Sequence, residues 1–210
     1  NGVSILGNIR KAVRMYALQR ASAIPGRKKQ LINLARSGSV GILFEVPDDD
    51  AYQNVYQYIQ KLQEMKIKVR AMGFVKEKHL STHFLPVLSF DFLYPKDLNW
   101  YGKPTSKQAE DYWSTDFDIC INIGSTDCFP LKYIACRSLA HLRVGPFTDA
   151  DKVYYDLMIH PEEPHDQNKF LQQVHDRFAV ARVEVAGRLV GQENRRLPDQ
   201  GPGDGYALLL

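Results

Sequence analysis

Acidic side chains are missing from the first part of this sequence. Residues 1–44 contain no aspartate and no glutamate, but they contain eight lysines and arginines. The remaining residues carry 19 basic and 24 acidic side chains, so the two parts have net charges of opposite sign. Because a segment with one sign of charge favours partners of the other sign, residues 1–36 predict contact with nucleic acid or the ribosome, or with an anionic membrane surface.

Long apolar runs are missing as well. No run of about 18 apolar residues occurs, which excludes a membrane-spanning helix in these 210 residues. In a signal peptide the positive charges come before the apolar run, whereas here Ile5 and Leu6 come before Arg10 and Lys11. These residues therefore do not have the order of a leader, and we expect a cytoplasmic protein.

Cysteines are few, and none of them forms a C-x-x-C pair. Cys120, Cys128 and Cys136 are odd in number, so any disulfide scheme leaves one of them unpaired. We interpret all three as reduced, mostly buried thiols of a cytoplasmic protein. Cys128 is also a candidate nucleophile, because it stands beside a predicted helix start, where a thiolate is stabilised.

The common nucleotide and hydrolase motifs are absent. The sequence has no G-x-G-x-x-G, no G-K-[ST] and no G-x-S-x-G, which excludes the dinucleotide fingerprint, the P-loop and the nucleophile elbow. His79 and His83 have the i, i+4 spacing of helical metal ligands, but Pro86 follows closely and a third ligand is missing. A further group of histidines lies near Glu162 and Glu163 in a predicted loop, namely His160, His165 and His175. We therefore predict no metal, no cofactor and no catalytic residue, which favours a protein that is not an enzyme.

Strands and helices alternate along the chain. The apolar run 39–46 predicts a buried strand, the acidic residues from Asp48 on begin a helix, and residues 67–75 form the next strand. These elements make one right-handed βαβ unit. Further strands are predicted at 87–92, 116–123, 142–145 and 154–159, further helices at 107–113, 129–139 and 168–178, and a last strand at 180–190. The pattern predicts a three-layer α/β domain over residues 28–178, with a mainly parallel sheet of Rossmann-like or flavodoxin-like order.

The two ends of the chain differ from this domain. Residues 4–22 predict a basic amphipathic helix, part of an arm over residues 1–27 that lies outside the core. Residues 179–210 are rich in Arg, Gly and Pro, and we expect a tail that is poorly ordered or foreign to the native chain. The basic side chains predicted to meet an anionic partner are Arg10, Lys11, Arg14, Arg20, Arg27, Lys28 and Lys29. Alternatively, the helix docks on the acidic body and leaves its basic face in water.

Polar residues follow two of the predicted strands. In a parallel sheet, ligands lie beyond the carboxyl ends of the strands, and this edge brings together Glu45, Ser125, Thr126 and Asp127. Backbone N–H groups at 124–126 stand before a predicted helix and can bind a phosphate. The alternative is a helix cap and turn without a ligand.

The segment NWYGKP carries a second candidate group. Trp100 and Tyr101 stand beside Lys103 in a predicted loop, and aromatic rings next to a cation can stack on a base or a sugar. The alternative is an aromatic plug that covers an edge of the sheet.

Two resemblances add to these patterns. Over residues 28 to 176 the chain resembles a family of short proteins of unknown function from Bacteroidetes. The resemblance is carried by the segments VGILFEV, LNWYGKP, DFDICINI with DCFPLKYI, and HLRVGPF with YYDLMI. A weaker resemblance is to the N-terminal half of heptosyltransferase-like glycosyltransferases. It is carried by residues 117–123, 131–140 and 143–145. The second resemblance implies a phosphate or sugar ligand, although the chain has no room for the second domain of those enzymes. We therefore expect a binding or adaptor domain that contacts an anionic partner through its basic arm, or alternatively a small-molecule binding domain.

Overall fold

A six-stranded parallel sheet forms the centre of the protein. The structure is a computed structural model that describes residues 2–24, 27–76, 89–163, 166–188 and 207–209. The strand order is β3-β2-β1-β4-β5-β6, and a seventh strand, β7, pairs antiparallel with β6. The strands are β1 (Ser39–Glu45), β2 (Lys68–Phe74), β3 (Phe90–Leu93), β4 (Ile119–Asn122), β5 (Leu142–Pro146), β6 (Leu157–Ile159) and β7 (Ala207–Leu209). The predicted α/β fold is confirmed, and of the two strand orders expected the chain adopts the Rossmann-like one.

Helices cover both faces of the sheet and complete the three predicted layers. They are α1 (Gly2–Ser22), α2 (Asp49–Glu64), α3 (Lys107–Trp113), α4 (Phe129–Arg137) and α5 (Gln167–Arg188). α2 and α5 pack in the core that contains Ile42 and Phe44 of β1. α1, α3 and α4 pack in the core that contains Leu43. Because successive residues of a strand point to opposite faces, β1 contributes to both cores, and this explains its unbroken apolar sequence.

The first βαβ unit forms where the sequence predicts it. The side chain of Asp48 accepts a hydrogen bond of 2.8 Å from the amide of Ala51 and so caps α2. Asp49 and Asp50 follow in the first turn, where carboxylates offset the positive pole of the helix dipole. β2 then lies beside β1 in parallel. Local capping signals and a buried apolar run are thus enough to place these three elements.

The basic helix is only partly outside the core. Leu18 and Ala21, in the last turns of α1, are buried in the core formed with α3 and α4. Residues 5–12, in contrast, are exposed throughout. Within the described ranges no helix is long and apolar enough to cross a membrane, although α1 has 21 residues. α1 is therefore attached by one end and presents the other to solvent.

The strand predicted at residues 180–190 is wrong for residues 180–188, the part of it that the structure describes. α5 continues as a helix through Arg188. Valines at positions 180, 183 and 185 suit a strand, but residues 167–178 already form a helix, and extending a helix is much easier than starting one. The predicted boundary at residue 178 therefore falls inside α5. At the end of the predicted tail, residues 207–209 pair with β6 as β7, while a foreign origin of the tail stays a prediction.

Candidate functional sites

The strand order reverses between β1 and β4, and a cleft lies at the carboxyl end of these strands. In open α/β sheets this reversal leaves a crevice, because the connections on its two sides run to opposite faces. The cleft has a volume of about 940 Å³. Its ionisable lining residues are five carboxylates and one amine: Glu45, Asp48, Asp50, Glu163, Asp166 and Lys76. We call it the switch-point cleft, and its lining is predominantly acidic.

Glu45, at the end of β1, is the centre of a hydrogen-bond network in this cleft. Its Oε1 accepts a hydrogen bond of 2.8 Å from the amide of Ser125, and the Ser125 hydroxyl donates to the same oxygen. Its Oε2 lies 2.6 Å from Nζ of Lys76. Burial raises the pKa of Glu45, but the hydrogen bonds from Lys76 and Ser125 outweigh burial, so the pKa is lowered overall. Both oxygens of an ionised Glu45 are therefore occupied, which suits an anchor of the cleft better than a general base.

Gln167 ties the first residue of α5 to the same strand end. Its side-chain carbonyl accepts a hydrogen bond of 3.2 Å from the amide of Glu45, and its Nε2 donates to the Glu45 carbonyl at 2.7 Å. The amide side chain thus pairs with β1 as a neighbouring strand would. Sequence reasoning missed Gln167, since a side chain that pairs with distant backbone leaves no local pattern.

The turn between β4 and α4 forms the opposite wall. The Gly124 amide donates to Oδ1 of Asn122 at 3.1 Å, and a Cβ at Gly124 would lie 2.8 Å from Leu131. Only glycine fits this approach without displacing its neighbours. Cys128 stands at the N-cap of α4, where its side chain makes no capping hydrogen bond. Burial, together with the charge of Glu45, raises the pKa of Cys128 to about 12, so its thiol stays protonated at neutral pH and the candidate nucleophile is not supported.

The structure brings together three of the four residues predicted at this edge. Glu45, Ser125 and Thr126 line the cleft, whereas Asp127 is exposed and is not part of the lining. Within the described residues there is no group of three or more side chains that suits a metal ion. His79, His83 and His165 lie outside the described residues.

The segment NWYGKP lies elsewhere, against α1 and α4. Oδ1 of Asn99 accepts hydrogen bonds from the amides of Tyr101 (3.2 Å) and Lys103 (2.9 Å), and Gly102 adopts a φ of +94° that favours glycine. The Tyr101 ring packs 6.4 Å from the ring of Phe129 in α4. The predicted plug is therefore a tight loop over the helical layer and not a cover on an edge of the sheet.

Two of the predicted anion-binding arginines hold the arm on the body. Nε of Arg14 donates to the carbonyl of Tyr101 at 2.7 Å, and its guanidinium carbon lies 4.8 Å from the centre of the Phe129 ring. The guanidinium of Arg27 pairs with both carboxylate oxygens of Asp156, one of them at 2.7 Å, and both side chains are less than 10% exposed. These two side chains are engaged in internal contacts. Four others remain exposed to solvent, namely Arg10, Lys11, Arg20 and Lys28, and Lys29 is exposed at 67% beside Asp156.

A second cleft lies between α1, the NWYGKP loop and α4, and we call it the helix groove. Its volume is about 480 Å³. Its lining includes three cations and three tyrosines but no acidic residue: Arg20, Lys103, Arg137, Tyr16, Tyr101 and Tyr133. Lys103 and Tyr101, the second candidate group of the sequence, therefore line the same groove as Arg20 of the basic arm.

Exposed apolar side chains are concentrated on α1. Of the ten large hydrophobic side chains that are exposed in the described part of the chain, five belong to this helix: Ile5, Leu6, Ile9, Met15 and Tyr16. A sixth, Trp100, is 64% exposed beside Tyr101, in the loop that Arg14 contacts. A cluster of this kind is unusual on a surface that stays in water, so it points to an interaction surface.

Comparison with known protein families gives a match over most of the chain. The model of a family of unknown function, DUF6913, matches residues 10–176. The match includes most of α1 and ends before the predicted tail. No curated protein and no solved structure matches. An origin in Bacteroidetes and the likeness to heptosyltransferase-like enzymes stay predictions.

Proposed function

We propose that this chain, which belongs to the DUF6913 family, is a binding module that docks on an anionic membrane surface through α1. The observation that carries the proposal is the coincidence of two features on one helix. Five exposed hydrophobic side chains lie on α1, and neither α1 nor the rest of residues 1–44 contains an acidic residue. An interfacial helix needs both, apolar side chains to bury and cations to meet the headgroups.

The apolar side chains favour a membrane over RNA. Ile5, Leu6 and Ile9 are between 48% and 69% exposed, and RNA phosphates offer nothing to bury them against. In a bilayer interface, full burial of each such side chain is worth about 1.5–3 kcal/mol. A lysine or arginine near an anionic bilayer adds about 1 kcal/mol, and Arg10 and Lys11 are exposed in the same turns.

The attachment of α1 to the body supports a peripheral mode of docking. Leu18 and Ala21 fix the last turns of the helix in the core, and Arg14 fixes its middle to the NWYGKP loop. The first turns of α1 therefore project into solvent from a helix whose middle and last turns are fixed to the body. A helix that is already ordered loses less conformational entropy on binding than a disordered segment does.

Vesicle co-sedimentation of the full chain tests this function. We expect binding to vesicles that contain phosphatidylglycerol, and little binding to phosphatidylcholine alone. The double variant Ile5→Gln/Ile9→Gln keeps every charge and should bind at least about tenfold more weakly than the wild type. Val153→Gln changes a side chain that is 73% exposed elsewhere on the surface, and it should bind like the wild type.

Two outcomes contradict the membrane proposal. If the double variant binds phosphatidylglycerol vesicles as tightly as the wild type, the apolar face has no role. If the wild type ignores vesicles but binds total RNA with a steep salt dependence, the basic arm serves a nucleic acid instead.

A second candidate function is favoured by the switch-point cleft. Its position at the reversal of strand order is where α/β folds bind small ligands. Its five carboxylates and single lysine repel a free phosphate and suit the hydroxyl groups of a neutral sugar, which donate hydrogen bonds to carboxylates.

Thermal unfolding in the presence of neutral mono- and disaccharides tests this second function. A bound sugar raises the Tm, and Asp50→Asn, which alters a wall residue, should reduce that rise. A rise with inorganic phosphate but not with sugars would contradict the assignment of a neutral ligand.

A further inference from the structure

We infer that the helix groove between α1 and α4 binds a phosphate monoester, and that in the cell this group is the headgroup of an anionic lipid. The lipid source rests on the proposed membrane function, whereas the phosphate chemistry rests on the groove itself. The sequence pattern indicates Arg20 and Lys103 as binding residues but does not place them together, since the three cations lie in three separate segments of the chain.

The cations of the groove have no anionic partners. Among the described residues, Arg20, Lys103 and Arg137 form no salt bridge. Several cations of the body are paired, as Lys76 is with Glu45 and Lys132 with Asp151. Others that form no salt bridge with described residues, such as Lys61 and Lys107, are exposed and line neither of the two clefts. Three positive charges around one cleft repel one another, so an anion between them is favoured.

Aromatic rings hold these cations without using their hydrogen-bond donors. Nζ of Lys103 lies 5.6 Å from the centre of the Tyr133 ring. The guanidinium carbon of Arg137 lies 6.0 Å from the Trp113 ring. A cation over the face of a ring is attracted by its electrons, while its N–H groups stay free for oxygen acceptors.

The loop that carries Lys103 is fixed in place. The Lys103 amide donates to Oδ1 of Asn99 at 2.9 Å, and its carbonyl accepts from the Asn99 amide at 3.0 Å. The neighbouring carbonyl of Tyr101 accepts from Arg14. The backbone of the loop is thus ordered before any ligand arrives, which lowers the entropic cost of binding.

A monoester fits the groove better than a diester. A phosphate monoester carries a charge of about −1.5 to −2 at neutral pH and three acceptor oxygens, one for each cation. A diester carries a single charge and has fewer free oxygens. Tyr16 lines the groove and also belongs to the exposed apolar side chains of α1, so a phosphate held there lies beside the proposed membrane-binding surface.

The experiment compares vesicles that contain phosphatidic acid, a monoester, with phosphatidylglycerol vesicles of equal surface charge. We expect the full wild-type chain to bind phosphatidic acid at least several-fold more tightly. The variant Lys103→Gln/Arg137→Gln should lose this preference and keep its binding to phosphatidylglycerol. Arg20→Gln, at an exposed position, is a milder second variant, and Lys61→Gln/Lys107→Gln is the control with equal loss of charge.

The outcomes separate this inference from the proposed function. If the wild type binds both vesicles equally, or if the control loses the preference as the groove variant does, the groove is not a phosphate site. If Ile5→Gln/Ile9→Gln binds no worse than the wild type, the membrane function fails on its own. If no vesicle is bound, a Tm increase with glycerol 3-phosphate in the wild type but not in the groove variant identifies a free phosphate monoester as the source. No vesicle binding and no such increase overturn the inference.

Discussion

The two clefts of this molecule carry opposite charge and are built in different ways. The switch-point cleft is acidic, and its wall residues follow directly after strands of one parallel sheet. The helix groove is basic and aromatic, and it is assembled from α1, a loop and α4. Glu45, at the centre of the first cleft, has Lys76 and Ser125 as partners. Lys103 and Arg137 of the second cleft have aromatic rings beside them and no carboxylate partners among the described residues.

This difference separates two ways of stabilising charge. In the switch-point cleft, Asp48 and Asp166 cap α2 and α5 through backbone amides, so part of its acidity serves the fold. Beside the helix groove, Arg14 holds α1 on the NWYGKP loop, while Arg20, Lys103 and Arg137, which line the groove, form no salt bridge with described residues. A charged side chain that is paired within the protein gives little evidence of a ligand. A charged side chain that lines a cleft without a partner gives better evidence of one.

The largest effect is expected where the basic arm is anchored. Asp156→Asn removes the negative partner of Arg27 and leaves a buried, unpaired guanidinium. We expect the free energy of unfolding to fall by about 3–5 kcal/mol at neutral pH, measured by urea unfolding. Because Arg27 holds the segment that follows α1, the helix groove should also lose some affinity for phosphate, while the switch-point cleft stays intact. An unchanged urea midpoint would contradict the assignment of Asp156 as the anchor.

The same pair has a defined pH dependence. Burial raises the pKa of Asp156, but hydrogen bonds from Arg27 and from the amide of Arg143 outweigh it, so the pKa is lowered overall. A carboxyl group with a lowered pKa stabilises the fold above its unfolded pKa of about 4, and this stabilisation is lost as the pH falls through the folded pKa. The difference between the wild type and Asp156→Asn should therefore shrink in acid. A difference that stays constant from neutral pH into acid would speak against an ionised Asp156.

A glycine in each region permits a matched pair of substitutions. Gly124→Ala puts a Cβ 2.8 Å from Leu131 in the wall of the switch-point cleft, and Gly102→Ala forces a side chain onto a residue with a φ of +94° beside the helix groove. Each should cost about 1–3 kcal/mol of unfolding free energy. Only Gly102→Ala should weaken binding of a phosphate monoester. Equal loss of that binding in both variants would contradict two independent sites.

Glu45→Gln tests the network of the switch-point cleft. It removes the ion pair with Lys76, whose side chain is 63% exposed, and weakens the hydrogen bonds from Ser125. Because solvent screens an exposed partner, we expect a loss of only about 1 kcal/mol at neutral pH. The lowered pKa of Glu45 makes this loss fade as the pH falls below about 4. A loss as large as that of Asp156→Asn would show that the cleft, and not the arm, holds the fold together.

The smallest effect on stability is expected in the helix groove itself. Lys103→Gln/Arg137→Gln removes two cations that have no carboxylate partners, so unfolding free energy should change by less than about 0.5 kcal/mol, or rise slightly. Any rise should vanish in high salt, where repulsion between the cations is screened. Lys61→Gln/Lys107→Gln is the control. A loss of several kcal/mol would mean that these cations stabilise the fold, which would contradict a role in ligand binding.

The sequence predicts the switch-point cleft better than the helix groove. Glu45 and Ser125 each follow a strand with a clear apolar pattern, and in a parallel sheet such ends meet at one edge. Lys103 and Arg20 meet only because α1 docks on α4, and that docking depends on contacts such as Arg14 with Tyr101, 87 residues apart. Contacts of this kind have no local signature, so the sequence pattern does not place Tyr101 and Lys103 beside Arg20.

The pairing of Arg27 with Asp156 also limits when the arm can be anchored during synthesis of the chain. The two residues are 129 positions apart, so the anchor of the arm cannot form until nearly the whole sheet has been synthesised. At about 5–20 residues per second, the ribosome needs on the order of 6–26 s to add this stretch. During that interval Arg27 has no carboxylate partner, and the arm can be held only by contacts with residues synthesised earlier, such as that of Arg14 with Tyr101.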